Sequence, residues 1–192
     1  MPLKITMTTL YLTRHGETEE NARRILQGLL QTKLTPRGIE QANALKEKLK
    51  AIHFDAILCS DLVRALDTAS ILASPHHQEP VQNPLLRERD WGSWTGAYIP
   101  EIRGKDFPAD VESVEHMFKR AHTFLKYITD HYPNQTILAV GHGLMDRVIE
   151  ATIKGKTIQE VPVFTNAEVR IYELSRNLVD SENQTGDIIA DN

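Results

Sequence analysis

Two histidines of this 192-residue chain are each followed by glycine, in Arg14-His15-Gly16 and Gly141-His142-Gly143. Each closes a short β-rich run, Thr8 to Thr13 and Thr136 to Val140. A neutral imidazole keeps a free ring nitrogen near pH 7, so a residue of this type can attack an electrophile or carry a proton. Glycine breaks the strand and permits the turn that follows. In open α/β sheets, ligands collect at the carboxyl edge of the strands, where the strand order switches. One His-Gly pair alone reads as a core histidine beside a loop glycine; two pairs at equivalent strand ends place both rings at one edge.

The elements that must hold these residues alternate along the chain. After the first strand, Thr35 is a plausible N-cap and Pro36 a first helical residue for a long amphipathic helix carrying Ile39, Ala42, Leu45, Leu49 and Ile52. Phe54 to Cys59 is nearly uninterrupted apolar sequence, as in a parallel strand buried on both faces. Ser60-Asp61 reads as the N-cap of a helix carrying Leu62, Ala65, Ala69 and Leu72 up to Pro75. Residues 74 to 110, rich in proline and glycine, predict loops with one short strand. Val111, Val114, Met117, Ala121, Phe124 and Ile128 mark another long helix, closed by Tyr132-Pro133-Asn134. Thr136 to Val140, a helix from Leu144 to Ile153, and an alternating strand from Glu168 to Leu174 complete the pattern. The expectation is one domain over 1–192, a three-layer α/β/α sandwich with a mostly parallel sheet. Its core spans about 8–174, and 175–192 forms a polar, fraying tail.

Leu12-Thr-Arg14-His15-Gly16-Glu17-Thr18 resembles the RHG motif of the histidine phosphatase superfamily, the phosphoglycerate mutase-like family. The resemblance continues in order through Asn21, Gln27-Gly28, Leu34-Thr35, Gly38, Gln41-Ala42 and the stretch from Ser60 through Arg64 and Thr68 to Ala69. It then runs through Leu86-Arg-Glu88, Gly92, Trp94, Gly96, Glu112-Ser113 and Gly141-His142-Gly143, and so spans about Thr9 to Leu174. It implies a phosphomonoesterase acting on small phosphorylated metabolites, with inorganic phosphate as product and no cofactor or metal. By the resemblance, His15 is the phosphorylated nucleophile, and His142 is a second histidine donating to the transferring oxygens. Glu88 is the general acid, later the base for water. Arg14 and Arg64 offer planar forks suited to phosphate, since phosphoryl transfer relies on positioning and on neutralising the non-bridging oxygens. Asn21, Gln27 and Gly143 are implied substrate-binding positions, although Asn21 and Gln27 serve equally well to satisfy loop amides. Without the resemblance, Arg64 would read as a solvated surface arginine, and Glu88 as part of the solvated charged run Arg87-Glu88-Arg89-Asp90. Glu17 reads as a tether for the loop.

Composition narrows the function classes. Lys+Arg 22 against Asp+Glu 26 gives a formal charge of -4, which lacks the electrostatic footprint of a nucleic-acid binder. No apolar run approaches the roughly 18 residues of a membrane span, and the polar start does not resemble a secretory signal. Met7, just before the first strand, is an alternative start to Met1. A single cysteine, Cys59, excludes an internal disulfide and fits the cytoplasm. The remaining histidines show no metal-ligand spacing, and neither GxGxxG nor a Walker pattern follows the first strand. The oligomeric state is not legible.

Two departures from the family pattern affect substrate contacts rather than catalytic groups. Trp94-Thr95-Gly96 stands where many relatives carry Trp-Glu-Gly, and Gly141 stands where serine is frequent. Only the 14 residues Ala97 to Asp110 fill the interval where the glycolytic mutases of the family carry an insertion, which favours release to water. The alternatives are a phosphoglycerate mutase or sugar bisphosphatase using the same pocket, and a phosphate-binding module without activity.

Overall fold

The computed structural model describes residues 6–176. The start at Met1 and the tail from 177 onward therefore lie outside the described residues. Five strands form one sheet: β1 (Met7–Arg14), β2 (Ala56–Cys59), β3 (Val81–Gln82), β4 (Thr136–Gly141) and β5 (Val169–Ser175), in the order β3-β2-β4-β1-β5. All neighbours run parallel except β5, which lies antiparallel to β1. The sheet separates two apolar layers because side chains alternate across a strand. Leu10, Leu12, Ile137 and Ala139 join Met117, Phe124, Val148 and Ile149 on one face. Ile57, Cys59, Leu138 and Val140 join Leu45, Leu49, Ala65 and Leu72 on the other. The helices follow from this: α5 (Val114–His131) with α6 (Gly143–Lys154) cover the first face, α2 (Pro36–Leu49) with α3 (Val63–Ala73) the second. The three-layer α/β/α arrangement is therefore as the sequence predicts. Among the described residues, no helix is long and apolar enough to cross a membrane.

Local departures have local causes. A five-residue helix, α1 (Glu19–Arg23), is too short for periodicity to show, but Thr18 and Asn21 form a reciprocal capping box, each side chain bound to the other's backbone N–H at 3.2 Å. The cap of α3 is not Ser60 or Asp61 but Leu62, which supplies no side-chain bond. Ser60 Oγ accepts from the Leu62 N–H at 3.3 Å, and Asp61 accepts from Arg87 at 2.8 Å instead. α5 begins at Val114, not Val111, because the Ser113 hydroxyl caps the His116 N–H at 3.1 Å. Ile39, placed on the apolar stripe by its spacing, is 45% exposed. Residues 74–110 hold the one short strand expected, β3, together with 3-10 turns at Ser74–His76, Pro84–Leu86 and Gly92–Trp94 and a single helical turn, α4 (Ile99–Ile102).

Candidate active site

Strand register builds the site. Arg14 of β1 pairs with Gly141 of β4, so the next residues, His15 and His142, emerge side by side at the carboxyl edge. Their ring centroids stand 5.2 Å apart, and both residues are buried. His15 Nδ1 lies 2.6 Å from the Gly16 carbonyl oxygen. A carbonyl only accepts, so Nδ1 carries the proton and Nε2 holds the lone pair. His15 is further fixed through its backbone: its N–H donates to Gly141 O at 3.1 Å, and its carbonyl accepts from Asn166 Nδ2 at 3.0 Å.

The loop that follows fits against α2 by close backbone approach. A Cβ on Gly16 would stand 2.4 Å from Gly38 O, and one on Gly38 would stand 2.1 Å from Glu17 O, so both positions require glycine. Glu17 does tether this loop. Its N–H donates to Gln41 Oε1 at 2.9 Å, its carboxylate accepts from the Thr35 hydroxyl at 3.1 Å, and Arg37 lies 3.7 Å away.

A hollow of about 130 Å³ opens here, lined by Arg14, His15, Asn21, Gln27, Arg64 and Glu88 among others. Arg64 is no surface arginine: it is 1% exposed, on the buried face of α3. Its Nη2 donates to Gly28 O at 2.8 Å and its Nη1 to Leu30 O at 2.7 Å, which aims the fork. Arg14 Nη1 donates to Phe164 O at 2.8 Å. The buried Nε of each arginine and both ring nitrogens of His142 have no hydrogen-bond partner among the described residues. Unpaired buried donors of this number are costly in a folded protein, and an anion with several oxygens satisfies them together.

Glu88, not its neighbour Asp90, lines this hollow. Its two oxygens accept from Arg89 N–H at 2.8 Å and from Leu144 N–H, at the start of α6, at 3.3 Å. Asp90 accepts from Gly92 N–H at 2.9 Å and is exposed. Asn21 and Gln27 face the hollow but are partly engaged. Asn21 Oδ1 serves the cap of α1, and Gln27 Oε1 accepts from the Thr32 hydroxyl at 2.6 Å. Gly143 lies against the arginine: a Cβ there would stand 3.2 Å from the Arg14 guanidinium, so its place is to admit Arg14.

Sequence reading missed Asp146, Asn166 and Phe164. Phe164 acts through its backbone carbonyl and Asn166 through its side-chain amide on the His15 carbonyl, and no local signal marks either. Asp146, fully buried in the first turn of α6, accepts from the His142 N–H at 3.2 Å, and its own N–H donates to the His142 carbonyl at 2.8 Å. A Cβ on Gly141 would stand 2.1 Å from Asp146 Oδ1. This explains the departure at position 141: a serine there would collide with the acid.

Burial sets the protonation states, with charge second. Desolvation, then Arg64 and Arg14, hold His15 well below the ordinary 6.5; desolvation and Arg64 do the same for His142. Desolvation, then Glu88, push Asp146 well above the ordinary 3.8. Arg64, lowered by burial to about 10, stays protonated at neutral pH. Lowered folded values mean that unfolded chains bind histidine protons which the native state refuses, so stability contributed by these groups is lost as pH falls below about 6.5. The same sign governs rate. The acid limb of kcat/KM, corrected for the substrate's own ionisation, is expected clearly below 6.5, and a limb centred at or above that value would contradict a buried neutral nucleophile.

An α/β sheet with a cationic, histidine-bearing hollow at its switch point defines a class of phosphate-handling proteins, and comparison with known sequences agrees. The profile of the histidine phosphatase superfamily (branch 1) matches residues 10–183, and the chain belongs to that family. It is 30% identical over 164 residues to phosphoserine phosphatase 1 of Hydrogenobacter thermophilus, covering 78% of this chain and 77% of that one. It is 33% identical over 160 residues to adenosylcobalamin/alpha-ribazole phosphatase of Escherichia coli, covering 75% and 78%. Among solved structures, Bacillus stearothermophilus YhfR superposes with a TM-score of 0.80 at 32% identity, over 85% of this chain and 90% of that one.

Proposed function

We propose that the protein is a cytoplasmic, single-domain phosphomonoesterase that hydrolyses small phosphorylated metabolites in two steps through a phosphohistidine at His15. The carrying observation is the gathering of His15 Nε2, the unpaired Nε of Arg14 and of Arg64 and the Glu88 carboxyl around one anion-sized hollow, with the His142 ring centroid 5.2 Å from that of His15. In the first step Nε2 attacks phosphorus, the ester P–O bond breaks, and Glu88 gives its proton to the departing oxygen. In the second, Glu88 as carboxylate takes a proton from water, whose oxygen attacks phosphorus. The N–P bond breaks and inorganic phosphate leaves. Arg14 and Arg64 hold the non-bridging oxygens throughout, and Asn21 and Gln27 border them. The phosphatase names of two aligned relatives, beside others named probable phosphoglycerate mutase, and the short 97–110 segment with only α4 inside it, support hydrolysis over transfer to a second substrate. A buried lone Cys59 supports a reducing compartment.

The test is a rapid quench of the wild-type protein with radiolabelled phenyl phosphate. Protein-bound label that survives alkali and is lost in acid, at up to about one per chain, is the expected result. Fast turnover with no such species would contradict the covalent mechanism.

A further inference from the structure

Two further hollows border the phosphate hollow, and their chemistry differs. The larger, about 370 Å³, shares Glu88 with it. Its cations are already engaged. Arg120 donates to both Glu112 oxygens at 2.8 and 2.9 Å and to Leu85 and Arg87 carbonyls at 3.0 and 2.9 Å. His116 lies 2.6 Å from Glu112, and Arg87 donates to Asp61. Asp90 and Asp110 line the same space, so a second phosphoryl or carboxylate group placed there would meet carboxylates rather than open cations.

The smaller hollow, about 200 Å³, is mainly apolar, walled by Trp94, Ile102 and Phe107 together with Leu26, Trp91 and Ile99, with Arg103 and Lys105 at the same wall. Leu26, Trp91 and Ile99 also line the phosphate hollow. An alcohol whose phosphate sits on Arg14 and Arg64 has these side chains as its neighbours on that side. The walls are held in place. Phe107 packs 5.2 Å from Trp94 and 6.1 Å from Trp91, and the Arg89 guanidinium stands 4.7 Å from the Trp91 and Phe107 ring centres. The segment is laced to the hollow's rim by Leu26 N–H to Ala97 O at 2.9 Å, Gly96 N–H to Leu26 O at 2.8 Å and Ile99 N–H to Arg24 O at 3.0 Å. Yet Phe107 remains 57% exposed, which is apolar surface a ligand gains by covering.

We infer that the preferred substrates are monophosphate esters of alcohols with an apolar or aromatic body, seated against Trp91, Trp94 and Phe107. The inference rests on the phosphomonoesterase reading. Its test is kcat/KM for ethyl, butyl, hexyl and 2-phenylethyl phosphate, alcohols acidic enough to similar degrees that the chemical step is held nearly constant, beside a sugar bisphosphate. Each buried methylene is worth up to about fourfold in binding, so a rise of roughly tenfold or more from ethyl to phenylethyl phosphate is expected, with the bisphosphate below phenylethyl phosphate. In Trp94→Ala and, separately, Phe107→Ala, the phenylethyl-to-ethyl ratio should fall to about two, whatever the absolute rate. A flat wild-type series, a ratio that survives in both variants, or preference for the bisphosphate overturns the inference. No turnover of any ester would instead refute the phosphomonoesterase reading, so the two failures are distinct.

Discussion

His15→Ala is expected to lower kcat for aryl phosphates by roughly a thousandfold or more, to remove the acid-labile phosphoenzyme, and to leave phosphate binding largely intact. The ring presents a nitrogen lone pair fixed by local geometry: the 2.6 Å contact to Gly16 O consumes Nδ1 and exposes Nε2. Without it, water must attack directly, while on the proposed mechanism Arg14 and Arg64 still neutralise the transferring oxygens and His142 still donates to them. That retained electrostatic stabilisation is why a residual rate is expected and why an anion such as vanadate should still bind. Kinetics, vanadate titration and thermal melting on the same preparation separate loss of the nucleophile from loss of the fold. A variant that keeps near wild-type turnover would remove His15 from the chemistry.

Gly141→Ala is expected to destabilise the fold by about 2 kcal/mol, a fall in Tm of about 4–8 °C at this chain length, and to reduce kcat strongly. The added methyl would lie 2.1 Å from Asp146 Oδ1, in a region where Val140, His142 and Asp146 are all fully buried, so the acid must give way. When it does, the His142 N–H loses its acceptor, and the ring beside His15 loses its anchor. Asp146→Ala alone also leaves that N–H unsatisfied and should cost about 1–3 kcal/mol. Combining the two removes the collision, so Gly141→Ala/Asp146→Ala should be more stable than the sum of the single effects by about 1–2 kcal/mol. Thermal and denaturant melts of the four proteins in the cycle measure this directly. Strict additivity would show that the two positions do not share the space.

The linear order of residues carried the architecture because periodicity is local. Alternating burial along β1, the continuous burial of the apolar run in β4, the Thr35-Pro36 start of α2 and the Tyr132-Pro133-Asn134 end of α5 all follow from spacings and from residues with restricted backbones. It also singled out Arg14, His15, Arg64, Glu88 and His142 as candidates, because the RHG motif and its companions follow one another in the order of the family pattern. Short elements escaped it: α1 and α4 span five and four residues, less than a helical period can reveal. Ile39 shows the limit for longer ones, since spacing marks a stripe but not which edge of it a neighbour covers.

What the folded chain alone decided is which atoms meet. Pairing of Arg14 with Gly141, positions 127 apart, sets both imidazoles together, and no local pattern specifies that register. Burial of Arg64, the tautomer of His15 and the upward shift of the Asp146 carboxyl depend on what surrounds each group, because desolvation and hydrogen bonding act over a few ångströms of space and not along the sequence. The same reason separates the two departures from the family pattern. Gly141 is explained only once Asp146 is seen to occupy the volume a side chain would need, whereas nothing in the structure explains Thr95.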